Sequence, residues 1–353
     1  MFTRNDTLKI NIGGVVIGGG EKIAVQSMTN TKTDNIEETV AQIKRLENAG
    51  CDIVRVAVPD MAAAQAVKEI KNRINIPLVT DIHFDYRLAL ECMKNGADKV
   101  RINPGNIGDT EKVKAVVDMA KKCSVPIRIG VNGGSLEKNI LQKYGKPCPA
   151  AIVESAMAHI KILENCDFYN IAVSLKTSSV NDTIESYRMF AEKSRYPLHL
   201  GVTEAGSAFA GTVKSSVGIG ALLAMGIGDT LRVSLTAPPE EEIKVGKQIL
   251  KSLDLAEKGV EIISCPTCGR CNVNLQDVAG KVEKAFEVYD GNITVAVMGC
   301  AVNGPGEARE ADVGVACGKG EGLIFKKGEI IKKVKENEIP QALLEVAGVN
   351  TKD

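Results

Sequence analysis

Residues 1–258 predict a parallel (β/α)8 barrel of the TIM type, and residues 259–353 predict a small C-terminal α/β domain that holds a metal group. Three observations lead there. Eight short aliphatic runs alternate with segments of helical spacing, which is the pattern of parallel strands joined by crossover helices. The 353-residue length exceeds one ordinary core and fits a barrel of about 250 residues plus a second unit. The cysteines, scattered singly over most of the chain, crowd into its last hundred residues.

The elements follow in order. "LKINIGGVVIGGG" reads as a hairpin turning at Gly13-Gly14. The triple glycine at 18–20 does not match G-x-G-x-x-G and is read as a turn. The barrel strands are "IAVQSM" (23–28), "CDIVRVAV" (51–58), "IPLVTDIHF" (76–84), "ADKVRINPG" (97–105), "VPIRIGVNGG" (125–134), "FYNIAVSLK" (168–176), "PLHLGVTEAG" (197–206) and "TLRVSLT" (230–236). The first helix starts at the capping residues Asp34 and Asn35 and stops at Gly50. Pro238 and Pro239 end the eighth strand region, and Glu240–Leu255 reads as a helix. An open doubly wound sheet is the alternative, but eight strands favour closure, with active residues at the strands' C-terminal ends. The second unit has a strand "VEIIS", a helix "NLQDVAGKVEKAFE", a strand "ITVAVMG" and a hairpin turning at Lys327-Gly328.

Composition excludes several classes. The 44 basic and 44 acidic residues balance, so no basic field exists to gather nucleic acid or an anionic membrane. The N-terminal stretch is polar, unlike a signal peptide, and no run of about 18 apolar residues occurs. A cytoplasmic protein with reduced thiols is expected.

Four strands carry an arginine in their middle: Arg55, Arg101, Arg128 and Arg232. A fifth strand ends in Lys176. Burying an unpaired cation costs several kcal/mol, about as much as a small protein's whole margin of stability. Ion pairs with Asp81, Glu204 or helix carboxylates are one answer. A small ligand carrying several negative charges, most naturally phosphates, is the other, because the guanidinium fork suits phosphate oxygens. Asn103, Asn132, Thr203 and Ser234 lie just past these cations and add neutral donors. Asp81, His83 and Glu204 bring acid–base groups to the same rim.

In "SCPTCGRC", Cys265-x-x-Cys268 is a strong metal signal, and Cys300 in "MGCAVNGPGEARE" supplies a third thiolate. No histidine lies in the second domain, so zinc would need cysteines alone, whereas iron–sulfur clusters take thiolates. The fourth ligand is open between Cys271, Cys317 and Glu307, the last brought back by the Gly304-Pro305-Gly306 reversal. Four thiolates would make a closed electron carrier. Three thiolates and one oxygen would leave an iron that substrate can claim.

Taken in order, "AVQSMTNT", "CDIVRVAVP", "DIHFD", "VRINPGN", "IRIGVNGGSL", "VSLKTS", "GVTEAG", "LRVSLT", "SCPTCGR" and "NGPGEA" resemble the bacterial short form of the 4-hydroxy-3-methylbut-2-en-1-yl diphosphate synthases of the methylerythritol phosphate route to isoprenoids. The resemblance runs over nearly the whole chain. It implies a TIM-type barrel joined to a domain like those of sulfite and nitrite reductases. It implies a [4Fe–4S] cluster on Cys265, Cys268, Cys300 and Glu307, with Cys271, a cysteine where the family more usually has another residue, left out. It implies a two-electron reductive ring opening of 2-C-methyl-D-erythritol 2,4-cyclodiphosphate, electrons from reduced ferredoxin or flavodoxin, and a homodimer in which one subunit's barrel faces the other's cluster domain. Arg55, Arg101, Asn103, Arg128, Asn132, Lys176, Thr203, Arg232 and Ser234 would hold the diphosphate. Glu204 would donate the proton, with Asp81 and His83 in support. An electron-transfer or redox-sensor protein without turnover is the rival reading; it accounts for thiolates but not for five strand cations. A radical enzyme using S-adenosylmethionine would carry C-x-x-x-C-x-x-C early in the barrel, and no such run exists here.

Overall fold

The computed structural model of the chain describes residues 1–103, 107, 110–257, 259–289, 291–300 and 310–349. The chain divides into two compact units, Met1–Ala256 and Glu257–Asp353.

The first unit opens with the antiparallel hairpin β1 (Ile10–Ile12) and β2 (Val15–Ile17). Its turn residues Gly13 and Gly14 both have positive φ, 55° and 100°, the backbone that a tight two-residue hairpin turn requires. Eight parallel strands follow: β3 (Ala24–Met28), β4 (Ile53–Ala57), β5 (Leu78–Asp81), β6 (Lys99–Ile102), β7 (Ile127–Asn132), β8 (Ile171–Lys176), β9 (His199–Leu200) and β10 (Thr230–Leu231). They lie in the order β8-β7-β6-β5-β4-β3-β10-β9, and a parallel bridge between Val173 and Leu198 joins the two ends. The sheet therefore curls into a near-closed barrel, not an open doubly wound sheet.

Period-two alternation divides every strand. Val25, Val54, Val56, Leu78, Val100, Ile102, Ile127, Ile129, Val131, Ile171, Val173 and Leu175 belong to the large apolar cluster shared with the surrounding helices. The residues between them face the barrel axis. Toward the N-terminal end four of these are apolar: Ala24, Ile53, Val79 and Ala172 form a separate cluster with Ile10, Ile12 and Ile17 of the hairpin. The hairpin thus plugs the bottom of the barrel. Further along the axis the inward residues turn polar.

The crossover helices begin and end as their caps dictate. Helix α1 (Ile36–Asn48) starts where Asn35 accepts the Glu38 amide, and the chain reverses at Gly50 (φ 83°). Helix α2 (Met61–Asn72) is capped by Asp60 through the Ala63 amide at 2.9 Å. The others in this unit are α3 (Tyr86–Lys94), α4 (Thr110–Cys123), α5 (Lys138–Tyr144), α6 (Pro149–Glu164), α7 (Val180–Ala191), α8 (Ala208–Ala224) and α9 (Pro239–Lys251). The last is shorter than the Glu240–Leu255 span expected and begins on its prolines.

The second unit has a five-stranded sheet in the order β11 (Val260–Ser264), β12 (Ile293–Met298), β13 (Val313–Gly318), β14 (Glu321–Lys326) and β15 (Glu329–Lys335). Strands β11 to β13 are parallel and the rest antiparallel. Helices α10 (Leu275–Phe286) and α11 (Ile339–Ala347) pack on it through Leu275, Val278, Val282, Phe286, Leu343 and Leu344. The β14–β15 turn falls at Lys327 (φ 48°) and Gly328 (φ 83°), as the sequence indicated. Strand β13 and helix α11 are additions. "DVGVACG" is an apolar run bounded by turns, a fully buried strand that lacks the alternation of a half-buried one. Among the described residues no helix is long and apolar enough to cross a membrane.

The plug carries a stability prediction. Ile12 is fully buried. Ile12→Ala should cost about 2–5 kcal/mol, seen as a lower denaturation midpoint for the barrel. No shift in that midpoint would mean that the hairpin is dispensable to the barrel core.

Candidate active site

The strand register determines what meets inside the barrel. Met28 lies opposite Arg55, Ala57 opposite Asp81, Asp81 opposite Arg101, and Arg101 opposite Arg128. Asn132 lies opposite Lys176. Two arginines are therefore direct neighbours on adjacent strands, a pairing that like charges make unfavourable.

Above this layer sits a cavity of about 160 Å³ lined by Arg55, Asp81, His83, Arg101, Arg128, Asn132, Ser174, Lys176, Thr203, Arg232 and Ser234. All five cations expected from the sequence converge on it. So do Asp81, His83, Asn132, Thr203 and Ser234. Asn103, buried at the end of β6, and Glu204, exposed in the loop after β9, are not among the lining residues. Glu204 has a left-handed backbone (φ 53°), a conformation uncommon outside glycine and enriched at functional loops.

Only two carboxylates answer the cations among the described residues of this layer. Asp81 accepts from Arg101 Nη1 at 3.1 Å, faces Arg55 Nε at 3.8 Å, and has His83 Nε2 at 3.5 Å. Burial opposes its charge, but the Arg55 charge, the His83 hydrogen bond and Arg101 outweigh it and hold the carboxyl well below the usual range. Glu242, in the first turn of α9, lies 3.4 Å from Arg232 Nε and also accepts from Ser27 Oγ (3.2 Å) and the Leu235 amide (3.1 Å). A helix carboxylate was one expected counter-charge, and Glu242 is that residue; Glu204 does not serve.

The remaining contacts are weaker. Arg55 donates to the Met28 thioether from Nε (3.1 Å) and Nη2 (2.9 Å), and Arg232 Nη1 lies 3.6 Å from the same sulfur. Arg128 Nη1 reaches Gln26 Oε1 at 3.5 Å, and its Nε is buried without a partner. Burial, then Arg128, Arg55, Arg232 and Arg101, push the Lys176 ammonium far below its ordinary range. Burial drives Arg128 down too, with Arg55 and Arg101 adding to it. A guanidinium keeps its proton at any ordinary pH, so Arg128 is a buried charge with little to offset it.

Glycines make room for these side chains. A Cβ on Gly130 would stand 2.4 Å from Arg101 Nε, and one on Gly201 would stand 2.5 Å from Lys176 Nζ. Both are at inward positions, so the empty space is taken by the neighbouring strand's cation. Sequence reasoning missed Met28, Ser174 and Glu242, and missed a deeper polar layer of Lys99 and His199. Lys99 is fully buried with its Nζ unpartnered, and His199 bonds Thr230 Oγ1 at 2.8 Å. The signal for Lys99 was present: it stands two residues before Arg101, on the same face of β6.

In the second unit, Cys265 directly follows β11 and Cys300 lies two residues past β12, so both leave the C-terminal end of a parallel pair. The Gly299 amide donates to Cys265 Sγ at 3.3 Å. The exposed Cys268 thiol is held below its usual range, first by the Arg270 amide and then by the Arg270 side chain. Cys317 lies wholly inside β13, and burial pushes its thiol up to about 12. Glu307 lies outside the described residues. Among the described residues no three histidine, cysteine, aspartate or glutamate side chains already form a metal cage. The donor chemistry nevertheless fits an iron–sulfur group: thiols at one sheet edge, an amide aimed at sulfur, and no imidazole.

The GcpE TIM-barrel domain matches residues 7–247, and the GcpE protein C-terminal domain matches residues 261–348. A 4-hydroxy-3-methylbut-2-en-1-yl diphosphate synthase (flavodoxin) of Clostridium perfringens is 60% identical over 345 residues, covering 98% of this chain and 99% of its own. The protein of that name in Caldicellulosiruptor saccharolyticus is 61% identical and covers 96% and 97%. Among solved structures, dihydropteroate synthase from Stenotrophomonas maltophilia (TM-score 0.52, 13% identity, 70% of this chain and 97% of its own) resembles it in fold alone. The same holds for N-acetylneuraminic acid synthetase from Leptospira borgpetersenii (TM-score 0.51, 11% identity, 70% and 90%). With both domains matched and near-full-length relatives at this identity, the chain belongs to the GcpE family.

Proposed function

We propose that this chain is a 4-hydroxy-3-methylbut-2-en-1-yl diphosphate synthase, catalysing the reductive ring opening of 2-C-methyl-D-erythritol 2,4-cyclodiphosphate to 4-hydroxy-3-methylbut-2-enyl diphosphate in isoprenoid precursor synthesis. Two electrons and two protons enter, the ring C–O bond and the C3–OH bond break, a C=C bond forms, and one water leaves. The observation that carries the reading is the cavity at the barrel mouth, where three buried and two half-buried cations face two carboxylates. A diphosphate supplies the missing negative charge.

In this reading Arg55, Arg128, Lys176 and Arg232 grip the phosphate oxygens, and Asn132, Thr203 and Ser234 add neutral donors. Asp81 is a positioning residue: its carboxylate holds Arg101 and Arg55 in place and orients the His83 ring at the rim. Asn103 supports the same strand end. Glu204, in the loop after β9 with a left-handed backbone, delivers a proton to the departing hydroxyl oxygen. Cys265, Cys268, Cys300 and Glu307 would hold a [4Fe–4S] cluster, which when bound supplies electrons one at a time and an iron with a replaceable contact. The relatives' names favour flavodoxin over ferredoxin as donor. A homodimer is part of the proposal. Supporting it, Phe209, Val213 and Val217 recur every four residues on α8 and form an exposed apolar stripe, with Phe209 82% accessible.

Turnover of the cyclodiphosphate by the anaerobically loaded protein with reduced flavodoxin tests the reading. Calorimetry separates it from a redox protein without turnover, since the latter gives no heat with the cyclodiphosphate. Two further outcomes are expected. Glu204→Gln should lower kcat by about 10²–10⁴ while the cyclodiphosphate affinity changes by less than about threefold; an unchanged kcat removes Glu204 from the proton step. Binding of inorganic pyrophosphate should weaken as pH rises, beginning well below 10.5, because the Lys176 ammonium is already pushed down and an anion favours its charged form. Lys176→Met should bind more weakly at neutral pH and show a flatter alkaline fall. An equally steep fall in that variant would assign the titration elsewhere.

A further inference from the structure

Beneath the cavity lies a second polar layer that the reaction described above does not use. Gln26, Lys99, Arg128 and His199 are at most 1% exposed, and each carries a nitrogen without a hydrogen-bond partner: Gln26 Nε2, Lys99 Nζ, Arg128 Nε and His199 Nε2. Arg128 shows how the layer is built. Its strand β7 stands opposite β3 in the eight-strand order, yet Arg128 Nη1 reaches Gln26 Oε1 on β3 at 3.5 Å. The Arg128 side chain therefore spans the lumen as a crossbar, and the cavity rests on it. Arg101 pairs with Arg128 across the ladder, and Lys99 stands two residues earlier on the same face of β6, about 7 Å lower. The register partner of Lys99 is Val79, a member of the apolar cluster that plugs the base.

Neighbouring strands surround Lys99 with apolar or positive groups. Strand β5 presents Val79 and Asp81, β7 Arg128, β4 Arg55, β8 Lys176 and β9 His199. Asp81 is the carboxylate among these described residues, and Arg101, Arg55 and His83 already occupy it. An ammonium at Lys99 would have no water, no acceptor and no counter-ion, and it would face two guanidiniums. Burial, then Arg128 and Arg55, push it far below its ordinary range; burial, then Arg128, Lys176 and Lys99, do the same to His199.

Resting on the reading of the cavity as a diphosphate site, we propose that Lys99 is an uncharged amine while the cavity is free and takes up one proton when the diphosphate binds. One N–H bond forms on Nζ and no other bond changes. The proton comes from solvent by way of the cavity, because the hairpin plug closes the base. Lys99 does not touch the diphosphate. It acts through charge: an anion on the other side of Arg128 offsets the guanidinium that kept Lys99 neutral, and a low-dielectric interior transmits that field over one layer of side chains. Lys176 is the contact cation and Lys99 the reserve behind it, so the deep layer becomes positive only when there is an anion to meet.

Calorimetry of inorganic pyrophosphate with the full chain, in buffers of different ionisation heat, counts the protons taken up. At neutral pH the natural chain should take up about one proton more per pyrophosphate than Lys99→Met. Its affinity advantage over that variant should shrink about tenfold for each unit that pH rises, because one proton is linked to binding. Should Lys99→Met not fold, carbon-13 resonances of the lysine Cε atoms in a Lys176→Met chain decide the matter. One lysine should show the shift of a neutral amine without pyrophosphate and of an ammonium with it. Equal proton uptake by the natural chain and Lys99→Met would overturn the proposal and leave the diphosphate site standing. So would lysines that are all charged before pyrophosphate is added, or one that stays neutral in the complex. If pyrophosphate does not bind the natural chain, the diphosphate reading falls as well.

Discussion

An excess of positive charge inside a closed barrel governs this structure. Arg55, Lys99, Arg101, Arg128, Lys176 and Arg232 all project inward, and among the described residues Asp81 and Glu242 are the carboxylates that meet them. Charges in a low-dielectric interior cannot spread their field into water, so neighbouring cations repel strongly. The barrel tolerates this because its stability is generated elsewhere. The outward faces of the same strands and the surrounding helices form one continuous apolar layer, and the hairpin plug seals the base. The arginines are held in an array that the rest of the fold stabilises and whose charge the proposed diphosphate would balance.

That division explains what could be read from the chain. An arginine between two aliphatic residues in a parallel strand is legible because its neighbours fix the outward face and so its own inward direction. Arg55, Arg101, Arg128 and Arg232 were all found this way, and all line the cavity. Lys99 escaped notice although the same rule applies, because it begins its strand, where a lysine reads as a solvated end. Glu242 was legible only as a class. Its partner Arg232 is ten residues away across the bend at Pro238-Pro239, and no periodicity encodes which glutamate of "PEEEI" turns inward. The eighth strand was expected to run to Thr236, whereas β10 stops at Leu231. Beyond it the Arg232 amide still donates to the Leu200 carbonyl at 3.0 Å and a parallel bridge pairs Ser207 with Thr236, so the two segments stay in contact without a regular ladder.

The second unit was legible at its cysteines and less so in its sheet. Spacing of thiols within a turn is local information, and the turn is present: Cys271 bonds back to Cys268. Strand β13 is a central strand buried on both faces, so "VGVACG" lacks an alternation that would mark it. Its position in turn decides the fate of Cys317. A thiol wholly within a central strand stays protonated and has no path to an iron, whatever its distance in sequence.

Under the proposed function the two units divide two requirements that would conflict if one sheet had to meet both. A cation array binds phosphate by charge, but positive charge close to a reducing centre would also raise its potential and make it a poorer donor. Thiolates do the reverse. Placing the arginines on barrel strands and the thiolates on a different sheet lets each be tuned without the other. In the proposed function it also makes charge number the first test a ligand would meet at the barrel. A singly charged phosphate ester leaves more of Arg55, Arg128, Lys176 and Arg232 uncompensated than a diphosphate does, and an uncompensated buried charge costs several kcal/mol. Discrimination of this kind comes from the penalty on the wrong ligand more than from added contacts to the right one, and it needs no rearrangement of the strands. On that proposal, selectivity rests on side chains carried by the barrel strands themselves.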